Sequence, residues 1–382
     1  MSSSPTAFTI LITDNQSVPI QRGNLKGLAY NVRFSTMLPG GCANFSCNVP
    51  GDYFSLTDHP EYISFNYKIQ VLSGGIVVWS GRLEDASLSR DRSGWKWTIS
   101  GKGFAANLDD QQYTSQDVSG LTTDAIVSNV ISSLTQQIDA SSITGTGFTL
   151  SGAAAINLKM LSSAQILSWA AMFGNSTYTD MIWYVYPDDD GTVRITFKPR
   201  PLVHDLLVTT RSFSHIGFKL MGRGIANRIL MQYNGGGSTV AVNDTDLQGA
   251  GPIGYNVIRT ARFFLPEISQ SADASQAAQT LLNLMKEPRM STDSFQCGAD
   301  VLFRDAYGQE VPLHLVRAGQ FLRFEDVIHN ESWCIEALIV ETDYDEAART
   351  LTVKPETFDN VMERVVAKAV EILNGRHTVY AP

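Results

Sequence analysis

The sequence predicts a mainly β fold of the α+β class, with a few helices between long stretches of strand. Apolar and polar residues alternate through several runs, such as 62–72 and 95–100, and residues that favour turns separate those runs. Apolar residues at helical spacing are confined to a few windows. These windows are 121–134, 158–174, 271–287 and 359–375.

The first hundred residues are predicted to form an antiparallel meander with one buried face. Residues 62–72 and 76–90 flank Ser73-Gly74-Gly75, a sequence that favours a hairpin turn. A second turn at 91–94 leads into a further strand, in which alternate residues share one face. The apolar residues on that face are Trp95, Trp97 and Ile99.

Two helices are predicted in the next hundred residues. The first has Thr122 or Thr123 as its N-cap and carries apolar residues as far as Leu134. The second runs from Leu158 through the segment SSAQILSWAAMF, and Gly174 is expected to end it, because glycine accepts the left-handed conformation.

Three consecutive aspartates, Asp188, Asp189 and Asp190, stand between two aromatic-rich runs. Apolar residues alternate on both sides, so Pro187 to Gly191 is predicted to connect two strands. A calcium loop would need oxygen ligands at alternating positions and a closing glutamate, which this stretch lacks. We therefore interpret the aspartates as an exposed turn without a metal or catalytic role.

The second half of the chain is predicted to return to strands, interrupted by one helix. The strand around 225–234 places Ile229 and Met231 on one face, and another extended run follows at 256–266. The helix at 271–287 is expected to begin at a Ser or Asp cap. Strands follow from residue 291, with an acidic turn at 343–346. A last helix, ending at Gly375, has an apolar stripe that suggests a partner.

Length and composition restrict the classes of protein that fit. A chain of 382 residues predicts about two to four domains. The 29 Lys and Arg against 38 Asp and Glu give a net charge of −9, and no basic run could neutralise a row of phosphates, so sequence-reading nucleic-acid binding is not expected. The first residues lack a secretory signal pattern, and no window has the roughly 18 apolar residues of a membrane span.

The four cysteines contain no CxxC pair, so free thiols in a reducing compartment are expected and a zinc site is not. They are Cys42, Cys47, Cys297 and Cys334.

The common catalytic motifs are missing from the sequence, including GxSxG, the GxxxxGK[ST] phosphate loop and HExxH. His204-Asp205 is the one tempting pair, but neighbouring residues of a strand point to opposite faces, so a catalytic dyad is not expected. We expect no catalytic, metal-binding or cofactor-binding residues, and no cofactor. Carboxylates could still meet in space for glycoside hydrolysis, so a cell-wall hydrolase remains one alternative.

Aromatic clusters leave a second alternative open, namely a carbohydrate-binding protein. Trp95 with Trp97, and Trp183 with Tyr184 and Tyr186, could stack on sugar rings. On alternating strands, such residues more often form the core and its rim.

Four stretches together resemble the tail hub, or baseplate hub, proteins of long-tailed bacteriophages and related contractile injection machines. The segment VVWSGRLEDASLSRDRSGWKWTISGKGF resembles the first barrel of that family. The segments SSAQILSWAAMFGN and WYVYPDDDGTVRITFKPRP resemble its inserted helix and hairpin, and ANRILMQYN resembles the strand that returns to the first barrel. The resemblance extends from Phe8 to Pro355.

The resemblance implies two tail-tube-like antiparallel β-barrels, with an inserted α/β domain and a C-terminal helix. The first barrel is then expected from 1–107 plus 208–240, and the inserted domain from 108–207. The second barrel with its helix is expected from 241–356, and the C-terminal helix and tail from 357–382.

The same resemblance implies a structural, non-enzymatic role. Within a phage tail, the two alternatives become a tail-associated cell-wall hydrolase and a carbohydrate-binding tail-tip protein. Three chains would form a ring at the tail tip, whose six barrels adapt the hexameric tail tube to threefold tip components around a DNA channel. Expected partners are a tail tube or distal tail protein and spike or fibre proteins, with DNA passing through without specific binding. The expected location is the virion tail tip or baseplate, after synthesis in the host cytoplasm and without stable membrane insertion.

Overall fold

The computed structural model describes most of residues 8–357. The residues within that range that it does not describe are 15–17, 55–66, 93, 112–119, 133–137, 142, 144–146, 152–160, 214–215, 222–224, 250–253, 255, 266–267, 287–288 and 328–334. The predicted terminal helix lies outside the described residues, as does Cys334.

The N-terminal seven strands form one antiparallel set, in the order β2-β1-β5-β6-β7-β4-β3. They are β1 (Phe8–Thr13), β2 (Pro19–Asn24), β3 (Tyr30–Met37), β4 (Gly40–Pro50), β5 (Lys68–Ser73), β6 (Ile76–Asp91) and β7 (Gly94–Gly103). The predicted meander is confirmed: β5 pairs with β6, and β6 pairs with β7 as far as the turn between Asp91 and Gly94. Its inward residues, including Trp79, Leu83 and Trp97, form a buried core.

The next segment contains three helices and a hairpin. They are α1 (Ala106–Asp110), α2 (Thr123–Ser132), α3 (Ser163–Ala171), β8 (Met181–Pro187) and β9 (Val193–Pro199). Helix α3 begins with a capping box, in which Ser162 accepts from the Gln165 backbone and the Gln165 side chain accepts from the Ser162 backbone. Both predicted helices are confirmed, but α3 begins at Ser163 instead of Leu158, which lies outside the described residues, and it ends at Ala171, three residues before Gly174.

The remaining elements continue to Pro355. They are β10 (Leu206–Thr209), β11 (Phe218–Met221), β12 (Arg228–Tyr233), β13 (Ser238–Asn243), α4 (Thr245–Gln248), β14 (Thr260–Leu265), α5 (Ser271–Met285), β15 (Arg289–Thr292), β16 (Phe295–Cys297), β17 (Phe303–Asp305), β18 (Glu310–Val311), β19 (Phe321–Glu325), β20 (Ile335–Asp345) and β21 (Thr350–Pro355). The expected helix at 271–287 is therefore α5. Its N-cap is Gln270, without a side-chain cap, rather than the expected Ser or Asp.

A second set of strands has the order β18-β17-β10-β19-β20, and β20 also pairs with β21, which pairs with β16. Strand β20 joins the two sets: its N-terminal half pairs with β19, and its C-terminal half pairs with β3. The predicted mainly β fold is confirmed. Among the described strands, the sheet path is open, with β2 and β18 at its ends, so complete barrels stay a prediction.

Two segments lie elsewhere than the sequence predicted. Strand β12 was expected to return to the first barrel, and this is wrong: it pairs antiparallel with β13 and parallel with β14 in a separate three-stranded sheet. Strand β10 pairs with β17 and β19, in the second set rather than in the inserted domain or the first barrel. For β12, the reason is packing. Ile229 and Met231 are buried with Trp169 and Leu281, in one core that the β12 sheet shares with α3 and α5. The domain division otherwise stays a prediction.

Four buried residues pack together where the first strand set, the β8–β9 hairpin and the second strand set meet. Leu38 follows β3, Ile182 lies on β8, Ala318 precedes β19 and Leu338 lies on β20. Beside them, the hydroxyls of Thr36 and Thr342 lie 2.6 Å apart across the β3–β20 pair. The β8–β9 hairpin is therefore held at the junction of the two strand sets.

Candidate interaction sites

The aspartates at 188–190 lie in the turn of the β8–β9 hairpin, and all three are exposed, as predicted. The Asp188 N–H donates to the Thr192 carbonyl at 2.8 Å, and the Gly191 N–H donates to the Asp188 carbonyl at 2.9 Å. The Thr192 N–H donates to the Asp190 carboxylate at 2.8 Å, and this bond lowers the pKa of that carboxyl. The Asp190 carboxylate is thus used by the turn itself.

This turn also contacts β5 of the first strand set. The Lys68 ammonium and the Gln70 amide donate to the Gly191 carbonyl, at 3.1 and 3.4 Å. Burial lowers the pKa of Lys68, with nearby Asp190 acting in the opposite direction. The contact is structural, because it fixes the tip of the hairpin on the neighbouring sheet.

His204 and Asp205 do not act on each other. They precede β10 rather than lying within a strand. The Asp205 carboxylate accepts from the Phe321 N–H at 2.9 Å, and His204 Nδ1 lies 3.7 Å from Glu336 Oε1. Each residue therefore fixes the start of the β10–β19 pair, and no dyad forms.

The aromatic residues considered for carbohydrate binding differ in exposure. Trp183 is 4% exposed, and its Nε1–H donates to the Ser168 hydroxyl, so its ring is not available to a sugar. Trp97 is 3% exposed, whereas Trp95 is 56% exposed beside Arg90, although it was expected on the buried face. Trp95 lies beyond the core, where the β6–β7 hairpin projects outward.

The described cysteines are buried thiols, and no cluster of three or more potential metal ligands occurs among the described residues. Burial raises the pKa of Cys42, Cys47 and Cys297 to about 12 in each case, so these thiols are protonated at neutral pH.

Among the described helices, none is long and apolar enough to cross a bilayer.

A cleft of about 450 Å³ lies between the β8–β9 hairpin and the segment 315–320. Its floor is a pair of tyrosines, Tyr184 and Tyr186, whose ring centroids are 5.0 Å apart. The Lys198 ammonium lies 5.7 Å from the Tyr184 ring, and the Arg317 guanidinium lies 5.3 Å from the Tyr186 ring. We call these residues the cationic cleft.

Sequence reasoning missed the cationic cleft. Alternation along β9 does place Arg194, Thr196 and Lys198 on one outward face, which is a signal that could have been used. Arg317 lies more than a hundred residues later in the chain, and only the folded structure brings it to the hairpin.

Two further sites join the regions of the chain. The His314 ring lies edge-on to Phe8 and close to Tyr344, at centroid distances of 5.3 and 6.0 Å, between the two strand sets. Burial lowers the pKa of His314.

Elsewhere, the buried guanidinium of Arg200, after β9, pairs with the buried carboxylate of Glu356, after β21.

Comparison with solved structures shows the same fold in three tail proteins. The tail protein from Neisseria meningitidis MC58 aligns with a TM-score of 0.58 and 10% identity, covering 95% of this chain and 98% of that chain. The 43 kDa tail protein of prophage MuSo2 from Shewanella oneidensis aligns with a TM-score of 0.55 and 13% identity, covering 92% and 99%. A prophage tail protein from Listeria monocytogenes EGD-e aligns with a TM-score of 0.53 and 12% identity, covering 95% and 99%.

No protein-family model matches the sequence, and no curated protein matches it significantly. At identities of 10–13%, the likeness concerns the fold. The predicted tail-protein fold is therefore confirmed, and it extends along nearly the whole chain.

Proposed function

We propose that this chain is a structural hub protein of a phage tail, located at the tail tip or baseplate. The observation that carries the proposal is the shared fold, which covers 92–95% of this chain and 98–99% of the three tail proteins. A match over nearly the full length of both partners is unlike the sharing of one common domain, which many unrelated functions use.

In this role, three chains form a ring around the DNA channel. Each chain contributes two sets of strands, joined along β3 and β20, so that three chains present six sets to a hexameric tail tube. A tail tube or distal tail protein would bind one face of the ring, and spike or fibre proteins would bind the other. The ring would thereby convert sixfold into threefold symmetry.

The charge of the chain is compatible with a channel for DNA. A net charge of −9 gives no general attraction for phosphates, so DNA would pass without being held. Synthesis takes place in the host cytoplasm in this proposal, and the protein then enters the virion without membrane insertion or enzymatic activity.

The mass of the purified protein tests the ring. Native mass spectrometry, checked by light scattering, is expected to give a species three times the 41.9 kDa chain mass. A monomer as the sole species across the concentration range would contradict a self-assembling ring.

Zymography separates this proposal from the cell-wall hydrolase. A structural hub is expected to give no clearing of host peptidoglycan, and the carboxylates of Asp190 and Asp205 already accept backbone hydrogen bonds. Clearing that a single Asp or Glu substitution abolishes would favour the enzyme.

A further inference from the structure

Two cations in the cationic cleft have no anionic partner among the residues that the structure describes. Lys198 and Arg317 form no ion pair with any residue in the described part of the chain, and each lies over a tyrosine ring instead. Arg194 in the same cleft differs, because its guanidinium lies 2.6 Å from the Asp188 carboxylate and 3.5 Å from that of Asp139. The positive charges of Lys198 and Arg317 can therefore bind an anionic ligand.

A hydrogen bond and a close backbone approach connect the floor of the cleft to its opposite wall. The Tyr186 hydroxyl donates to the Ala318 carbonyl at 2.8 Å, which ties the hairpin to the opposite wall. Gly319 has a φ of +90°, and a Cβ at this position would lie 3.0 Å from the Tyr184 ring. Glycine thus permits the close approach that places Arg317 beside the tyrosines, and a ligand would meet cations already held in position.

The chemistry of the cleft favours carboxylates over a nucleic-acid backbone. Binding to a phosphate backbone depends on a row of cations, whereas this cleft has two unpaired cations, and Asp188 and Asp205 also line it. Carboxylate side chains can take charge-assisted hydrogen bonds from Lys and Arg one at a time. A volume of about 450 Å³ accommodates a few side chains of a peptide.

Exposed apolar residues lie near the cleft in the chain. Leu202 and Val203, which lead to the cleft residue Asp205, are 77% and 71% exposed. The β10–β17 register places Leu206 opposite Asp305, so the turn with Tyr307, which is 91% exposed, extends toward the same segment. Aromatic and apolar residues beside an Arg are typical of the centre of a protein interface.

We propose that the cationic cleft binds an acidic peptide segment of another protein subunit. Its carboxylates contact Lys198 and Arg317, and its apolar residues contact Leu202 and Val203. This inference goes beyond the structural role proposed above and needs only the cleft, so the mass measurement can fail without affecting it, and the reverse also holds.

Fluorescence anisotropy with a labelled glutamate-rich peptide flanked by leucines tests the proposal. The wild-type protein is expected to bind the peptide at low salt and to bind its glutamine analogue at least tenfold more weakly. The double variant Lys198→Gln/Arg317→Gln is expected to bind the glutamate peptide at least tenfold more weakly than wild type, because two charge-assisted contacts are lost. Thr196→Glu leaves both tyrosine contacts in place and supplies a competing carboxylate inside the cleft, so it should weaken binding to a similar degree.

The matched control is Arg92→Gln/Lys219→Gln, which removes the same charge from two exposed positions outside the cleft. It is expected to bind within twofold of wild type, and near-ultraviolet circular dichroism confirms that all variants are folded. No binding by wild type, an equal loss in the control, or no loss in either cleft variant would overturn the proposal. Tighter binding of a single-stranded oligonucleotide of the same charge would overturn it in favour of phosphate recognition.

Discussion

At Gly191 the backbone has a φ of +82°, and an added Cβ would lie 2.5 Å from the Gln70 side-chain amide. Gly191→Val is therefore expected to destabilise the protein by about 1 to 2 kcal/mol, because a β-branched residue is strained in the left-handed region. The urea midpoint of unfolding measures this loss.

The neighbouring aspartates supply the matched comparison. Replacing Asp188, Asp189 and Asp190 together by Asn should shift the melting temperature by no more than about 2 °C, because Asn keeps the turn-forming side-chain geometry. Melts with and without calcium should agree. A calcium-dependent rise in the wild-type midpoint that the triple variant lacks would identify a metal site in place of the turn.

His314 predicts a pH dependence at the contact between the two strand sets. Its pKa is lowered by burial in the folded state, so the unfolded chain binds the proton more readily. Above the ordinary histidine pKa of about 6.5, His314 is neutral in both states, and its full contribution to the stability of the fold is present. That contribution is lost as the pH falls through about 6.5 toward the lower pKa of the folded state. The urea midpoint should decline as the pH falls from about 7.5 to about 5.5.

His314→Phe is the control for this decline, since it keeps an aromatic ring against Phe8 and cannot titrate. Tyr344, the titratable group whose ring faces His314, has a pKa raised by burial and stays neutral throughout this range. The variant should show a shallower decline than wild type. Identical slopes in the two proteins would show that His314 does not contribute.

Among the elements, those defined by local sequence were predicted well. The β6–β7 hairpin, α3, α5 and the turn before β9 follow from alternation, helical spacing and turn residues within short windows. The strands with which β10 and β12 pair were not predictable in the same way. Buried residues alternate with less buried ones in both strands, and this pattern fits any half-buried sheet edge. Their partners depend on which core they share, and residues far along the chain determine that.

The Arg200–Glu356 pair is the element-scale contact whose loss should matter most. It joins the end of β9 to the end of β21, and both side chains are less than a tenth exposed. Arg200→Met is expected to cost about 3 kcal/mol, because it removes the cation that pairs with the buried Glu356 carboxylate. Urea denaturation measures the change.

The double variant Arg200→Met/Glu356→Leu completes this cycle. It should recover most of the loss, since removing both charges also removes the cost of burying them. If the loss of stability in the double variant equals the sum of the losses measured for Arg200→Met alone and for Glu356→Leu alone, the residues do not act as a pair.

For the whole molecule, the sequence predicted the mainly β class and the tail-protein fold, but not the way in which its parts are joined. Strand β20 connects the two sets, and a core shared by α3, α5 and the β12 sheet supports the hairpin between them. The cationic cleft arises from this arrangement, because its two walls belong to parts of the chain that only long-range packing brings together.

A cryo-electron reconstruction of intact tails containing this protein tests the proposed hub most directly. The predicted result is three copies in a closed ring on the tail axis, between the tube and the tip, with two strand sets of each copy around the channel. Copies found away from the axis on fibre tips, or in a number that is not a multiple of three, would contradict the account.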